Sequence, residues 1–415
     1  MSKKIVIIGG GIIGLCCAYY LQKEGHKVVI VDQSNLDSGA SYVNAGYLSP
    51  SHVIPLSAPG VMKKGIEWMF NQASPLYIKP RLDIDFLKWA WAFNKSCNKI
   101  HVAKAIPIIK DISLLSQELY VEIKKSENFK FHYEKKGLLM LCQTDKMLEE
   151  EIYTAKIAEN QGLDVVELNK KDIAELEPHV KIEAKGATYY RCDSHSTPHE
   201  FMEEMKAYLI ANGVEFFSNE KVIDFNIQGD KLVSVITDKQ LLNADEIVLA
   251  SGTWTNLLSK KIGVHILLQA GKGYRINSEQ NTKITIPAIL AEAKVAITPM
   301  NGFTRFAGTM EIAGINPKIN KARVDAIANA TKKYYPEVNI SDEEKLNAEC
   351  GLRPLSFDGL PYIGKPSKCK NLTIATGHAM MGWTMATATG MLVSEIISNK
   401  KPSLKLEPFA VERKY

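Results

Sequence analysis

"KKIVIIGGGIIGLCCAYYLQKEGHKVVIVDQ", residues 3–33, reads as a short apolar strand, a glycine turn, a helix and a second strand. Ile5 to Ile8 is an unbroken β-branched run, the pattern of a parallel strand buried on both faces. Gly9, Gly11 and Gly14 then supply G-x-G-x-x-G where the helix should begin. The first glycine permits the tight turn, the second lets backbone approach a pyrophosphate, and the third lets helix pack on strand. Ile12 and Ile13 fall in the first helical turn, whose free N–H groups and positive dipole face the phosphates. Val28 to Val31 is the second strand. Asp32, eighteen positions beyond Gly14 and followed by Gln33, lies where a carboxylate accepts hydrogen bonds from a ribose hydroxyl. Cys16, Cys17 and Ala18 keep the helix slim where close packing wants little bulk. Strand, helix, strand and acid in register point to the ADP half of a dinucleotide. They do not separate NAD from FAD.

At 415 residues the chain is long enough for two domains and a substantial core. Apolar residues make up 46% and charged residues 23%, an ordinary globular balance. The net charge of +5 is too evenly spread to argue for nucleic acid. Seven cysteines (16, 17, 97, 142, 192, 350 and 369) form no C-x-x-C pair and no metal-ligand spacing, so no metal is expected. An odd count without a framework suits a reducing compartment. No stretch reaches the eighteen or more apolar residues of a membrane span. The opening lysines and apolar run have the outline of a secretory signal. Glycines break that run and no A-x-A cleavage site follows, so an intracellular, cytoplasmic protein is expected.

Four further stretches carry a family resemblance. "SGASYVNAGYLSPSH" (38–52), "GLRP" (351–354), "DGLPYIG" (358–364) and "ATGHAMMGWTMATATG" (375–390) follow in this order. Together with the N-terminal unit they resemble the FAD-dependent D-amino acid oxidase superfamily, nearest to the D-amino acid dehydrogenases of small-subunit type. The resemblance implies noncovalent FAD in a Rossmann-like α/β domain. It implies that Ser41, Asn44, Ala45, Gly46 and Leu48 line the flavin ring and that Val222 lies near the adenine. Ser251 and Gly252 would approach the dinucleotide, and Gly351, Gly382, Trp383 and Thr384 would face the flavin. Backbone donors and a helix N-terminus there suit the negative charge of a reduced flavin. In the sarcosine-oxidizing relatives a cysteine tethers the flavin in this neighbourhood. Here Gly351 holds that position and Cys350 is one residue off.

The cofactor domain is expected to be discontinuous, comprising 1–50, 150–175, 195–256 and 345–415. A substrate-binding α+β domain on an antiparallel sheet is expected from 51–149, 176–194 and 257–344. Within it, Gly137 to Cys142, "VHILLQAGKGYRI" (264–276), "KVAITPM" (294–300) and "FTRFAGTM" (303–310) read as strands. "DFLKWAWAFNKSC" (85–97) puts Phe86, Trp89, Ala90 and Phe93 on one helical face, with Leu87 and Trp91 off it. Lys79, Arg81, Lys88, Lys95 and Lys99 surround it, and Trp68 precedes it. This pattern suits either a packed core helix or an interfacial patch on the inner face of the membrane, where a quinone is in reach.

The resemblance implies oxidative deamination: a hydride leaves Cα for flavin N5, and the imino acid hydrolyses to keto acid and ammonia. Electrons would pass to a quinone or another acceptor. Arg353, as the arginine of "GLRP", would grip the substrate carboxylate through its planar fork. Tyr274 would offer a second donor, and His52 and His378 would contact substrate or flavin. Met380 stands where the glycine-oxidase pattern has an arginine, favouring a more apolar pocket. A D-proline or D-hydroxyproline dehydrogenase, and an oxygen-using glycine, sarcosine or D-amino acid oxidase, remain open readings. A flavoprotein acting on tRNA would want a concentrated basic surface. An NAD-linked dehydrogenase would leave the C-terminal segments without purpose. Oligomeric state is not legible.

Overall fold

The computed structural model describes residues 1–62, 65, 74–79 and 81–414. The N-terminal unit forms as its pattern dictates: strand Lys4–Ile8, helix Ile12–Lys23 and strand Lys27–Val31. The two strands lie parallel with Ile5 opposite Val28 and Ile8 opposite Val31. They sit inside a six-stranded sheet ordered Glu215–Phe217, Lys27–Val31, Lys4–Ile8, Glu246–Leu249, Leu372–Thr376, Tyr362–Gly364. Five strands run parallel and the edge strand Tyr362–Gly364 is antiparallel. Helices on one face explain why Ile5, Ile7, Val28 and Ile30 are buried.

Helix Ala386–Ile397 crosses Ile12–Lys23 so closely that a Cβ at Gly390 would meet the Cys16 backbone at 2.5 Å. The small residues after Gly14 therefore serve a helix–helix crossing. The long helix Lys99–Ser126 forms the next layer, with Ser116 Oγ 2.7 Å from Thr387 Oγ1. On the opposite face lies an antiparallel sheet of Val222–Gln228, Lys231–Thr237 and Leu241–Asn243.

A second, larger sheet runs Glu349–Ser356, Leu268–Ser278, Phe303–Ile312, Val295–Met300, Ala288–Leu290, Leu138–Cys142, Gly186–Tyr190, Val165–Asn169. Leu76–Ile78 adds to Phe303–Ile312. Pairing is antiparallel except at Ala288–Leu290 with Leu138–Cys142 and at Leu76–Ile78. One face packs on helix Lys321–Tyr334 through Tyr274, Ile276, Phe306, Val324 and Ile327. The other faces the dinucleotide-type sheet.

The sheets divide the chain differently from the sequence-based bounds in three places. Within 150–175, helix Asp145–Glu159 and strand Val165–Asn169 belong with the large sheet. Strand Glu349–Ser356, expected on the cofactor side, pairs with Leu268–Ser278 in that sheet. Helix Lys99–Ser126, expected on the substrate side, shares its core with the N-terminal unit. These memberships are fixed by partners far away in sequence, which local texture does not encode.

Helix Ile84–Ser96 starts at Asp83, whose side chain accepts from Asp85 N and Phe86 N. Trp89 and Phe93 are buried, and Trp89 Nε1 donates to Leu355 O at 3.0 Å. The predicted aromatic face is thus a packing face. Leu87 and Trp91 are each 53% exposed on the other side. Trp68 lies outside the described residues.

Candidate active site

A cavity of about 1260 Å³ opens between the two large sheets. It exceeds the roughly 300–1,000 Å³ of a pocket for one drug-sized ligand, leaving room for a long cofactor and a second molecule. At one end are Gly9, Gly11, Ile12, Ile13, Asp32 and Gln33. Gly9 has φ +108°, and a Cβ there would stand 2.5 Å from Ala250 O. That contact brings the Ser251–Gly252 turn against the glycine loop, and both turn residues line the cavity. Gly14 does not line it: a Cβ there would stand 1.9 Å from Gly9 O, so the missing side chain is what lets the helix pack so close. This is the packing role the third glycine was expected to fill.

Asp32 is already engaged. Its Oδ2 accepts from Gly10 N at 2.7 Å, and Oδ1 accepts from Ser34 N and Ser34 Oγ at 2.8 and 2.7 Å. Three of about four lone-pair sites are used in shaping the loop, and one remains for a ribose hydroxyl. Ser41 Oγ accepts from Ile12 N at 3.0 Å, leaving its own hydroxyl proton to offer a phosphate. Val222 lines the wall nearby, with Glu220, Lys221 and Ile223.

In the middle of the cavity the segment Asn44–Ser49 meets the turn Gly382–Thr384. Thr384 Oγ1 donates to Tyr47 O at 3.0 Å and accepts from Ser49 N at 3.3 Å. Trp383 is buried, its Nε1 donating to Ser196 Oγ at 3.0 Å. Asn44, Ala45, Gly351, Gly382, Trp383 and Thr384 line the cavity here. Gly46 and Leu48 do not. Gly46 has φ +77°, and a Cβ there would stand 2.1 Å from Ser196 O, while Leu48 is core.

Arg353 projects from strand Glu349–Ser356 into the far end. Burial pushes its guanidinium down to about 10, still protonated at neutral pH. Its Nη1 donates only to Thr309 O, at 3.3 Å, and among the described residues no carboxylate pairs with it. A desolvated cation without a counter-ion is costly unless a ligand supplies one. Gly273 lies directly beneath it. Thr309 is itself strained: this β-branched residue holds φ +59°, and its buried hydroxyl has no hydrogen-bond partner. Both Thr309 and Arg353 line the cavity.

Tyr274 is displaced from its expected role. It follows Gly273 on the same strand, and successive strand residues face opposite ways. Its ring enters the core under helix Lys321–Tyr334, and its hydroxyl donates to Glu311 Oε2 at 2.6 Å. The same parity turns Cys350 away from the cavity while Gly351 lines it.

His52 lines the cavity, and burial holds its imidazole down at about 4. Its Nδ1 is 3.3 Å from Ser51 Oγ, which donates to buried Asp193 at 2.6 Å. His378 also borders the cavity, with burial lowering it to about 3 and Nε2 2.9 Å from Thr389 Oγ1. That threonine hydroxyl donates to Met385 O, so His378 pins the start of the C-terminal helix. Arg305 was not anticipated. It is buried in strand Phe303–Ile312, where its Nη1 donates to Tyr42 O and Asn44 O at 2.8 and 2.5 Å. An arginine in an alternating strand reads as solvated, and only the approach of 42–44 turns it into a backbone clamp.

Together, the glycine cradle and the discontinuous parallel sheet define a dinucleotide-dependent oxidoreductase, with a cation at the far end of the same cavity. The family comparison narrows the class. Residues 4–396 match the FAD dependent oxidoreductase (DAO) family, and the chain belongs to it. It is 32% identical over 407 residues to a D-amino acid dehydrogenase of Vibrio vulnificus, covering 96% of each chain. It is 31% identical over 398 residues to a D-amino acid dehydrogenase of Helicobacter pylori, covering 95% of each. Glycine oxidase from Geobacillus kaustophilus has the same fold, with a TM-score of 0.79 at 20% identity over 100% and 99% of the chains. L-Proline dehydrogenase from P. horikoshii superposes with a TM-score of 0.74 at 18% identity over 99% and 97%. The cofactor is FAD, and the cradle described above fits it: glycines at each close approach, a carboxylate with one free site and helix N–H groups at the phosphates.

Proposed function

We propose that the protein is a D-amino acid dehydrogenase whose substrate carboxylate pairs with Arg353. The observation that carries this reading is the half-buried guanidinium lining the cavity without a carboxylate partner among the described residues. The curated relatives, named D-amino acid dehydrogenases over nearly their whole length, support the substrate class.

FAD, held noncovalently by the glycine cradle and the Asn44–Ala45 and Gly382–Thr384 walls, supplies the hydride acceptor. The chain's own residues bind and orient. Arg353 fixes the carboxylate with parallel N–H donors, and Thr309 hydroxyl offers a further polar contact beside it. His52, neutral at working pH because of burial, sets no positive charge against an incoming ammonium. Met140, Ile289, Leu76 and Met310 give the remaining wall an apolar lining that excludes water from the reacting Cα. Imine hydrolysis then needs only solvent.

The relatives' name of dehydrogenase supports a quinone or another carrier as the electron acceptor. The exposed side of helix Ile84–Ser96, with Leu87 and Trp91 beside Lys88, supports peripheral contact with the inner face of the membrane. Among the described residues no helix is long and apolar enough to cross a membrane.

The test is anaerobic. D- and L-alanine and D- and L-proline are added to the FAD-loaded enzyme and the flavin absorbance is followed. Bleaching by D-forms alone supports the reading, and bleaching by neither D-form overturns it. Stoichiometric peroxide in air would assign an oxidase instead.

A further inference from the structure

We propose that His132, Glu134 and His195 form a binding site for a divalent transition-metal ion of the zinc class. Sequence spacing alone does not reveal it, because His195 lies on a different strand, far along the chain from the His132–Glu134 pair. Tyr133–Glu134 and Tyr47–Leu48 flank Ser194–Ser196 in a small antiparallel sheet, with both Glu134 and Tyr47 opposite His195.

His132 Nε2 and His195 Nε2 each lie 3.6 Å from Glu134 Oε2, and the three ligand atoms all lie within 4.8 Å of one another. A tetrahedral ion with ligands at about 2.0–2.2 Å wants them about 3.4 Å apart, so a small inward shift completes the set. Two imidazoles and a carboxylate suit zinc better than magnesium or calcium, which prefer oxygen alone. The fourth position is left to water.

The second observation is His195 itself. It is fully buried, yet neither ring nitrogen has a partner at hydrogen-bonding geometry. The two histidines that line the cavity, His52 and His378, are both hydrogen-bonded. A buried polar group left unsatisfied is costly, and a metal ion supplies the missing partner. The Pro299 carbonyl lies beside the His195 ring, off hydrogen-bonding geometry. His132 Nδ1 is 3.0 Å from Thr197 Oγ1, which orients that ring with Nε2 toward Glu134.

One group competes. Lys136 Nζ pairs with the same Glu134 Oε2 at 2.9 Å, and its half-exposed side chain must swing away when the ion binds. None of the three ligands lines the cavity, so the ion acts as a staple. It ties together the strands behind the flavin segment, where Ser196 accepts from Trp383.

The FAD-loaded enzyme, stripped with a chelator and dialysed, is titrated with zinc. Retained metal is read by atomic emission and the melting temperature is followed. The expected result is stoichiometric retention and a raised melting temperature, both lost in Glu134→Gln and in His132→Gln, with tighter binding in Lys136→Ala. Failure of the wild type to retain stoichiometric zinc overturns the proposal. So does equal retention by Glu134→Gln and His132→Gln, which would mark adventitious surface binding. His195→Asn alone would not decide, because a core substitution can unfold the chain, so the two half-exposed ligands carry the test.

Discussion

The guanidinium of Arg353 lies flat over Gly273, where a Cβ would stand only 2.0 Å from Nη1. The two are diagonal neighbours on adjacent strands, Arg353 being opposite Gly271 and Gly273 opposite Gly351. The arginine can lie in the cavity wall because the strand beneath it carries no side chain at that point.

Gly273→Ala therefore displaces the guanidinium without touching the cofactor cradle. The expected outcome is a fall in kcat/KM of roughly tenfold or more, equivalent to losing about one charged hydrogen bond. Flavin content, read from the visible spectrum, stays at the wild-type level.

Thr309, in the cavity wall, holds a left-handed backbone, its carbonyl accepts from Arg353, and its buried hydroxyl has no partner. Thr309→Val keeps the shape and removes the hydroxyl. KM should rise roughly fivefold, about 1 kcal/mol for one hydrogen bond. Steady-state kinetics with the preferred substrate checks it.

Tyr274→Phe separates structure from catalysis. The change strips Glu311 of its tyrosine donor and leaves Lys272, at 3.2 Å, as its ion-pair partner. Unfolding in urea should show a loss of about 1–3 kcal/mol, with KM unchanged. A raised KM at unchanged stability would return Tyr274 to the substrate site.

Burial pushes Asp193 up to about 7 from 3.8, against the hydrogen bonds from Ser51. Between about pH 4 and 7 the native state then holds more protons here than the unfolded chain. Stability from this group falls as pH rises through that window and levels off above it. Asp193→Asn should accordingly gain on the wild type more at pH 8 than at pH 5, measured by thermal unfolding at both.

The N-terminal unit was legible because its signals are local: a β-branched run, three glycines and an acid at fixed spacing. Trp89 in the core and Trp91 outside also followed from helical spacing. Arg353 was singled out through its motif, and the structure places it in the cavity wall. Tyr274 was misplaced because strand parity depends on register with Phe303–Ile312, which no window of sequence contains. That pairing shifts by a bulge between Lys272 and Tyr274. Arg305 and the His132, Glu134 and His195 cluster were missed for a related reason. Their chemistry arises only where separate strands meet.

The most direct test of carboxylate capture compares D-alanine with D-alaninamide as anaerobic reductants of the enzyme-bound flavin. The two differ at the carboxyl group, the one assigned to Arg353. D-Alanine should bleach the flavin of the wild type at concentrations where the amide does not. Arg353→Lys should weaken D-alanine by roughly tenfold or more and narrow the gap between the two. Equal bleaching by the amide in the wild type would contradict the assignment of Arg353 to the substrate carboxylate.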